Sequence, residues 1–102
     1  MIIFNTTFHV EDSVCNDYIN YMKDIYIPEA VVDGSLSKPR FARIQAQHEE
    51  SGNSYSLQFQ VENAGALDRW FKTQGPALQK EIAARFGNKV LGFVTLLEEI
   101  EL

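Results

Sequence analysis

Hydrophobic positions along this chain recur with two periods, and the two alternate. From Ile2 to Val10 the period is two: Ile2, Phe4, Phe8 and Val10 fall on one side, Ile3, Asn5, Thr7 and His9 on the other. That is the pattern of a strand. Val14, Tyr18, Met22 and Ile25 follow at steps of three or four, flanked by Cys15, Ile19 and Tyr26. This spacing predicts an amphipathic helix with a wide apolar stripe. Asp12 or Ser13 is placed to cap it. Pro28 begins a second short helical turn, where its missing N–H costs nothing, and Gly34 is a stop.

Pro39 to His48 reads as a second strand, with Phe41, Arg43, Gln45 and Gln47 opposite Ala42, Ile44 and Ala46. A turn over Glu49, Glu50, Ser51, Gly52 and Asn53 leads into a third strand, Ser54 to Glu62. There Tyr55, Leu57, Phe59 and Val61 alternate with Ser54, Ser56, Gln58, Gln60 and Glu62, and the two strands make a hairpin. Asn63 caps a second helix whose stripe is Leu67, Trp70, Phe71, Leu78, Ile82 and Phe86. Gly75-Pro76 breaks that helix and Gly87-Asn88 ends it. Lys89 to Leu97 is a fourth strand, apolar on both sides: Val90, Val94 and Leu96 against Leu91, Phe93 and Leu97. Glu98 to Leu102 is the strand's end or a solvated tail.

The order β-α-β-β-α-β predicts an α+β, ferredoxin-like fold over residues 1–102 as one domain. Its sheet is expected to be antiparallel, in spatial order 4-1-3-2, with both helices on one face. The open face is then expected to carry Ser56, Gln58, Gln60, Gln45 and Gln47. Strand four, and partly strand one, is apolar on that side too. A mixed face of this kind suits a partner sheet better than bulk water, which predicts a symmetric homodimer. A plain solvated face is the alternative.

Composition narrows the function classes. With 45% hydrophobic and 12% aromatic residues in 102, the chain supports a real core and is not disordered. A net charge of −5 without a basic cluster argues against nucleic acid and anionic membranes as partners. Cys15 is the one cysteine, so no intrachain disulfide forms and a reducing compartment is expected. The N-terminus lacks the basic and apolar regions of a signal peptide. No apolar run approaches the roughly 20 residues of a membrane span. A cytoplasmic protein is the expectation.

Three pieces carry a resemblance: Ile2-Ile3-Phe4-Asn5-Thr6-Thr7, the stretch from Tyr21-Met22-Lys23 to Ile27-Pro28-Glu29, and Gly92-Phe93-Val94-Thr95-Leu96-Leu97-Glu98. In order and spacing the chain resembles a family of short bacterial proteins known only as a domain of unknown function. Many of its members have His before the Ile-Pro pair, where this chain has Tyr26. More broadly, the chain is similar to the dimeric α/β-barrel superfamily, which pairs two ferredoxin-like sheets face to face. That superfamily includes antibiotic-synthesis and haem-degrading monooxygenases and ligand-binding proteins. The resemblance implies a ligand pocket between helices and sheet.

The haem-degrading relatives use an Asn early in strand one and a Trp in helix two, which here match Asn5 and Trp70. Their iron-ligating His lies ten residues after the Trp, where this chain has Lys80. A protonated ammonium does not ligate iron, so no haem and no other cofactor is expected. Trp70 reads first as a core anchor whose indole N–H needs a partner, with Asn5 one candidate. Tyr18, Tyr21, Met22 and Tyr26 crowd the first helix and form either a closed core or, with Trp70, the wall of an apolar pocket. Asn5, Tyr21, Tyr26 and Trp70 are the candidate ligand-pocket residues.

The remaining chemistry is sparse. His9 and His48 have no ligand-spaced neighbours, so no metal site is expected. Glu98, Glu99 and Glu101 read as a solvated acidic end. Cys15 reads as a structural thiol, and Arg40 and Arg43 as partners of Glu62 or Glu98 or of an anionic ligand. No catalytic residue is assigned. Two function classes stay open. One is a homodimeric module binding a small hydrophobic or aromatic ligand or a protein partner without catalysis. The other is a cofactor-independent monooxygenase or isomerase acting on a small aromatic compound.

Overall fold

Phe4, Phe8 and Val10 all point to one side of the first strand, and that side is where the core forms. The computed structural model of the chain describes residues 1–45 and 51–102. Its strands are β1 (Ile2–Val10), β2 (Leu36–Arg43), β3 (Asn53–Val61) and β4 (Val90–Glu98). They form one antiparallel sheet in the order β2-β3-β1-β4, which is 4-1-3-2 read from the other edge. Central β1 fixes the register: Phe4 lies between Phe59 and Leu96, and Phe8 between Tyr55 and Gly92. The α+β, ferredoxin-like plan read from the sequence is the fold of this chain.

The first helical region is a composite. A 3-10 turn at Asp12–Val14 leads into α1 (Cys15–Tyr21), a π-helical turn at Met22–Tyr26 and then α2 (Ile27–Ala30). The expected cap by Asp12 or Ser13 does not form. The tight first turn already bonds Val14 N–H to Glu11 O at 3.1 Å, and Asp12 Oδ1 instead accepts from Asn53 Nδ2 at 3.3 Å. In the π turn, Ile27 N–H reaches back to Met22 O. The wider turn delivers Pro28 to the start of α2, where its missing N–H leaves no gap. Tyr18, Tyr21, Met22 and Tyr26 are all buried.

The second helical region divides into α3 (Ala64–Lys72) and α4 (Gln74–Phe86). Asn63 caps α3 as expected, its Oδ1 accepting from Ala66 N–H at 2.9 Å. The break comes at Thr73, slightly before Gly75-Pro76. Thr73 Oγ1 donates to Arg69 O at 2.8 Å and ends α3. Gly75-Pro76 sits in the first turn of α4, where proline's absent N–H is one of the donors a helix leaves unpaired.

Strand two departs most from expectation. It begins at Leu36 and ends at Arg43. Pro39 interrupts its pairing, with a register shift between Ser37 and Arg40 and Lys38 at φ +49°. A proline has no N–H for the ladder, so the strand bulges around it. Gln45 lies beyond the strand's end, in a recess with Phe41, Arg43 and Tyr55 on the helix side, not on the open face. Ala46 to Glu50, and with them Gln47 and His48, lie outside the described residues.

Helices cover the sheet unevenly. Tyr55, Leu57, Phe59 and Val61 on β3 are all buried beneath them. On edge strand β4 only Val90 is buried. Along β4 both sides stay open: Val94 and Leu96 on the helix side, Leu91, Phe93 and Leu97 on the other. No helix among the described residues is long and apolar enough to cross a membrane.

Candidate functional site

Uneven cover leaves a cleft of about 420 Å³ between α3–α4 and the strands β1 and β4. Phe4, Thr6 and Phe8 from β1 form its floor, and Gly92 and Val94 from β4 its outer edge. Trp70 and Phe71 enter from α3, Gln79 and Ile82 from α4, and Tyr26 from the π turn. Phe71 is 41% exposed and Val94 49%, so the mouth of the cleft is apolar.

Trp70 is held firmly in this wall. Its ring meets Phe4 edge-on at 5.3 Å and Phe71 at 5.5 Å. Its Nε1–H donates to Ala30 O at 2.8 Å, so the indole's partner is a carbonyl of α2 and not Asn5. Tyr26 stands edge-on to Phe8 at 6.2 Å. Burial, reinforced by the neighbouring Tyr21 phenol, pushes the Tyr26 hydroxyl up to about 12. It is therefore a neutral hydrogen-bonding group at ordinary pH.

Of the four residues singled out from sequence, Tyr26 and Trp70 line the cleft together. Tyr21 stands edge-on behind Tyr26 at 6.3 Å and turns toward Phe86 and the Arg85 guanidinium, 4.6 Å from its ring. It lines a groove between α1 and α4 instead. Asn5 lies on the open sheet face: its Nδ2 donates to Thr7 Oγ1 at 3.2 Å, and its Oδ1 accepts from Ser56 Oγ at 2.7 Å. One residue's shift along a strand changes the face, so Phe4 and Thr6 reach the cleft and Asn5 does not.

Sequence reasoning missed Phe4, Thr6, Phe8, Gln79 and, as lining residues, Gly75 and Gly92. The glycines carried a readable signal. A Cβ on Gly92 would lie 3.0 Å from the Phe8 ring, and one on Gly75 3.1 Å from Trp70 Cζ3. A glycine inside an apolar strand marks close approach of another group.

Elsewhere the polar groups are in ordinary company. His9 Nδ1 lies 3.2 Å from Ser54 Oγ on the surface. Cys15 Sγ contacts Glu11 O and Asn53 Nδ2, both at 3.5 Å. Arg43 covers the Tyr55 ring at 5.6 Å. The ion pairs of the described residues are Lys72–Asp68 and Arg85–Glu81, so neither Arg40 nor Arg43 joins Glu62 or Glu98. Among the described residues no three His, Cys, Asp or Glu side chains converge in a way that holds a metal ion.

Known structures share this architecture from end to end. An ethyl tert-butyl ether D (EthD) family protein from Bacillus halodurans matches with a TM-score of 0.71 and 16% identity, over 98% of this chain and 100% of that one. A candidate antibiotic biosynthesis monooxygenase from Deinococcus radiodurans matches with a TM-score of 0.73 and 15% identity, over 100% and 95%. A dimeric ferredoxin-like protein from an uncultured marine organism matches with a TM-score of 0.67 and 11% identity, over 99% and 97%. At these identities the likeness is one of fold. Nothing among the curated proteins matches the chain. A family model does match, over residues 1–100, and the chain belongs to the family described as Domain of unknown function (DUF4286).

Proposed function

We propose that this protein is a homodimeric module that binds a small hydrophobic or aromatic molecule in the cleft between α3–α4 and β1–β4, without catalysis. One observation carries the reading: aromatic rings line an open, apolar cleft whose floor and wall are fixed by packing and by the Trp70–Ala30 hydrogen bond. Sites of about this size, mostly apolar with a few polar groups, are the usual form of small-molecule sites. Among the described residues the lining has no paired acid and base, and its one titratable group, Tyr26, is pushed further above neutral pH.

The dimer rests on the open sheet face. Leu91, Phe93 and Leu97 line up there on β4, 59%, 63% and 42% exposed, with Ile3 beside Leu97 on β1. Apolar side chains in a row beside neutral Ser and Gln suit sheet-on-sheet packing. A ferredoxin-like protein of the same fold is itself described as dimeric.

Trp70 is the only tryptophan, which makes the cleft its own reporter. Neutral N-phenyl-naphthylamine is expected to quench Trp70 emission and to brighten as it binds. Gly92→Val, which drives a side chain into the Phe8 ring and the cleft, should abolish both signals while the chain stays folded by circular dichroism. An unquenched Trp70 at saturating solubility of the probe would overturn the ligand-binding reading.

A second reading is a cofactor-independent monooxygenase or isomerase acting on a small aromatic compound. The same cleft supports it, since Thr6, Tyr26 and Gln79 offer the few polar contacts such a substrate needs. Structural relatives carrying monooxygenase names share the fold. Oxygen uptake with polyhydroxylated aromatic probes, lost in Gly92→Val, would establish this reading over the first.

A further inference from the structure

The cleft's polar inventory is short and entirely uncharged. Among the described residues lining it there is no Asp, Glu, Lys, Arg or His. Trp70 has an N–H, but Ala30 already holds it. Tyr26 keeps its proton. What remains is the Thr6 hydroxyl, the Tyr26 hydroxyl and the Gln79 amide, the one amide-bearing side chain in the lining. A charged ligand group entering here loses water and meets no counter-charge, and burying an unpaired charge is far costlier than burying a neutral polar group. Gln79 is exposed at the rim on α4, so its side chain can turn to a ligand without disturbing the core.

Resting on the ligand-binding reading above, we infer that the cleft selects uncharged aromatic molecules bearing a hydrogen-bond-accepting oxygen, with the Gln79 amide donating to that oxygen at the rim. Carboxylates, sulfonates and phosphates are excluded. The selection is local, set by desolvation inside the cleft, and differs from the general repulsion of anions by a chain of net charge −5. Salt separates the two, because it screens repulsion across open solvent far better than it relieves a buried, unpaired charge.

Two matched probe pairs test this. N-phenyl-naphthylamine and its sulfonate, anilinonaphthalene sulfonate, differ by one anionic group. Titrated against Trp70 emission in high salt, the sulfonate is expected to bind roughly tenfold weaker or worse. Acetylnaphthalene and ethylnaphthalene differ by one carbonyl oxygen. The ketone is expected to bind about threefold to tenfold tighter, the range of a single neutral hydrogen bond. Gln79→Leu should erase that preference, so that ketone and hydrocarbon bind the variant equally. Equal binding of the sulfonate in high salt would overturn charge exclusion. A missing ketone preference, or one that survives in Gln79→Leu, would overturn the role of Gln79. Failure of every probe to reach Trp70 would instead remove the ligand-binding reading on which the inference stands.

Discussion

The indole of Trp70, in the middle of the second helical region, donates from Nε1 to the backbone carbonyl of Ala30, the last residue of α2, at 2.8 Å. Forty residues separate them in sequence. The turn that closes α2 uses the carbonyls of Ile27, Glu29 and Val31, and Ala30 is fully buried. The bond therefore satisfies a carbonyl at a helix end that water does not reach. It also ties the wall of the cleft to the segment that delivers Tyr26.

Trp70→Phe keeps much of the ring packing but leaves the Ala30 carbonyl buried without this donor. The expected cost is about 1–3 kcal/mol of folding stability, the usual range for a stranded buried acceptor. Urea unfolding followed by circular dichroism measures it, since the variant loses the only tryptophan. A midpoint identical to that of the parent would show that another group takes over the carbonyl.

The tyrosines give the chain an alkaline limit. Burial pushes the Tyr21 and Tyr26 hydroxyls up from an ordinary value of 10.0 to about 12, and raises Tyr18 and Tyr55 as well. In the unfolded chain these phenols ionise near 10, so above that pH the unfolded state holds fewer protons than the folded one. The stabilisation is complete below pH 10 and falls as pH rises toward 12. Phenolate absorbance should therefore appear late and together with unfolding. Four independent titrations near pH 10 in a chain that stays folded would contradict the burial.

Asn63→Ala removes the Oδ1 that receives the Ala66 N–H. Loss of such a cap costs about 1 kcal/mol. Asn63→Asp, which keeps the acceptor and adds a charge favourable at a helix start, should hold or improve the melting temperature. Calorimetry on the pair separates the cap from mere surface change.

Phe93 is 63% exposed on the open face and makes the dimer easy to test. Light scattering behind a sizing column should give about twice 11.6 kDa for the parent chain. Phe93→Glu should give a monomer with an unchanged circular dichroism spectrum. A parent chain that runs as a monomer at micromolar concentration would dispose of the face-to-face dimer.

Tyr18, Tyr21 and Tyr55 bury their hydroxyl oxygens without a hydrogen-bond partner among the described residues. Tyr18→Phe removes one such group from a site with rings of Phe8, Phe41, Tyr55 and Phe86 around it. The change is expected to be neutral or to raise stability by up to about 1 kcal/mol, because it deletes an unpaired polar atom and keeps the ring. Thermal unfolding decides it, and a clear loss of stability would show that the hydroxyl has a partner after all.

The amino-acid sequence determined what depends on neighbours a few residues apart. Alternation set the faces of β1 and β3 residue by residue, because a pleated strand has a strict period of two. Asn63 and Gly87 marked helix ends through capping and positive φ, while Gly34, also at positive φ, falls in the turn beyond α2, whose last residue is Ala30. Order and length then left few ways to arrange four strands and two helical regions. Local pattern misjudged β2, since a strand containing Pro39 is held by β3 and not by its own alternation. Tertiary structure alone decided the cleft. Phe4 and Phe8 read as plain core positions, and only the short reach of the helices over β4, with Gly92 lacking a side chain, left those rings facing a space. It also separated Asn5 from Trp70, because the two approach the sheet from opposite sides, and a face is a property of the whole sheet. Which partner a buried N–H or carbonyl finds is likewise settled only when distant segments meet, as Trp70 and Ala30 do here.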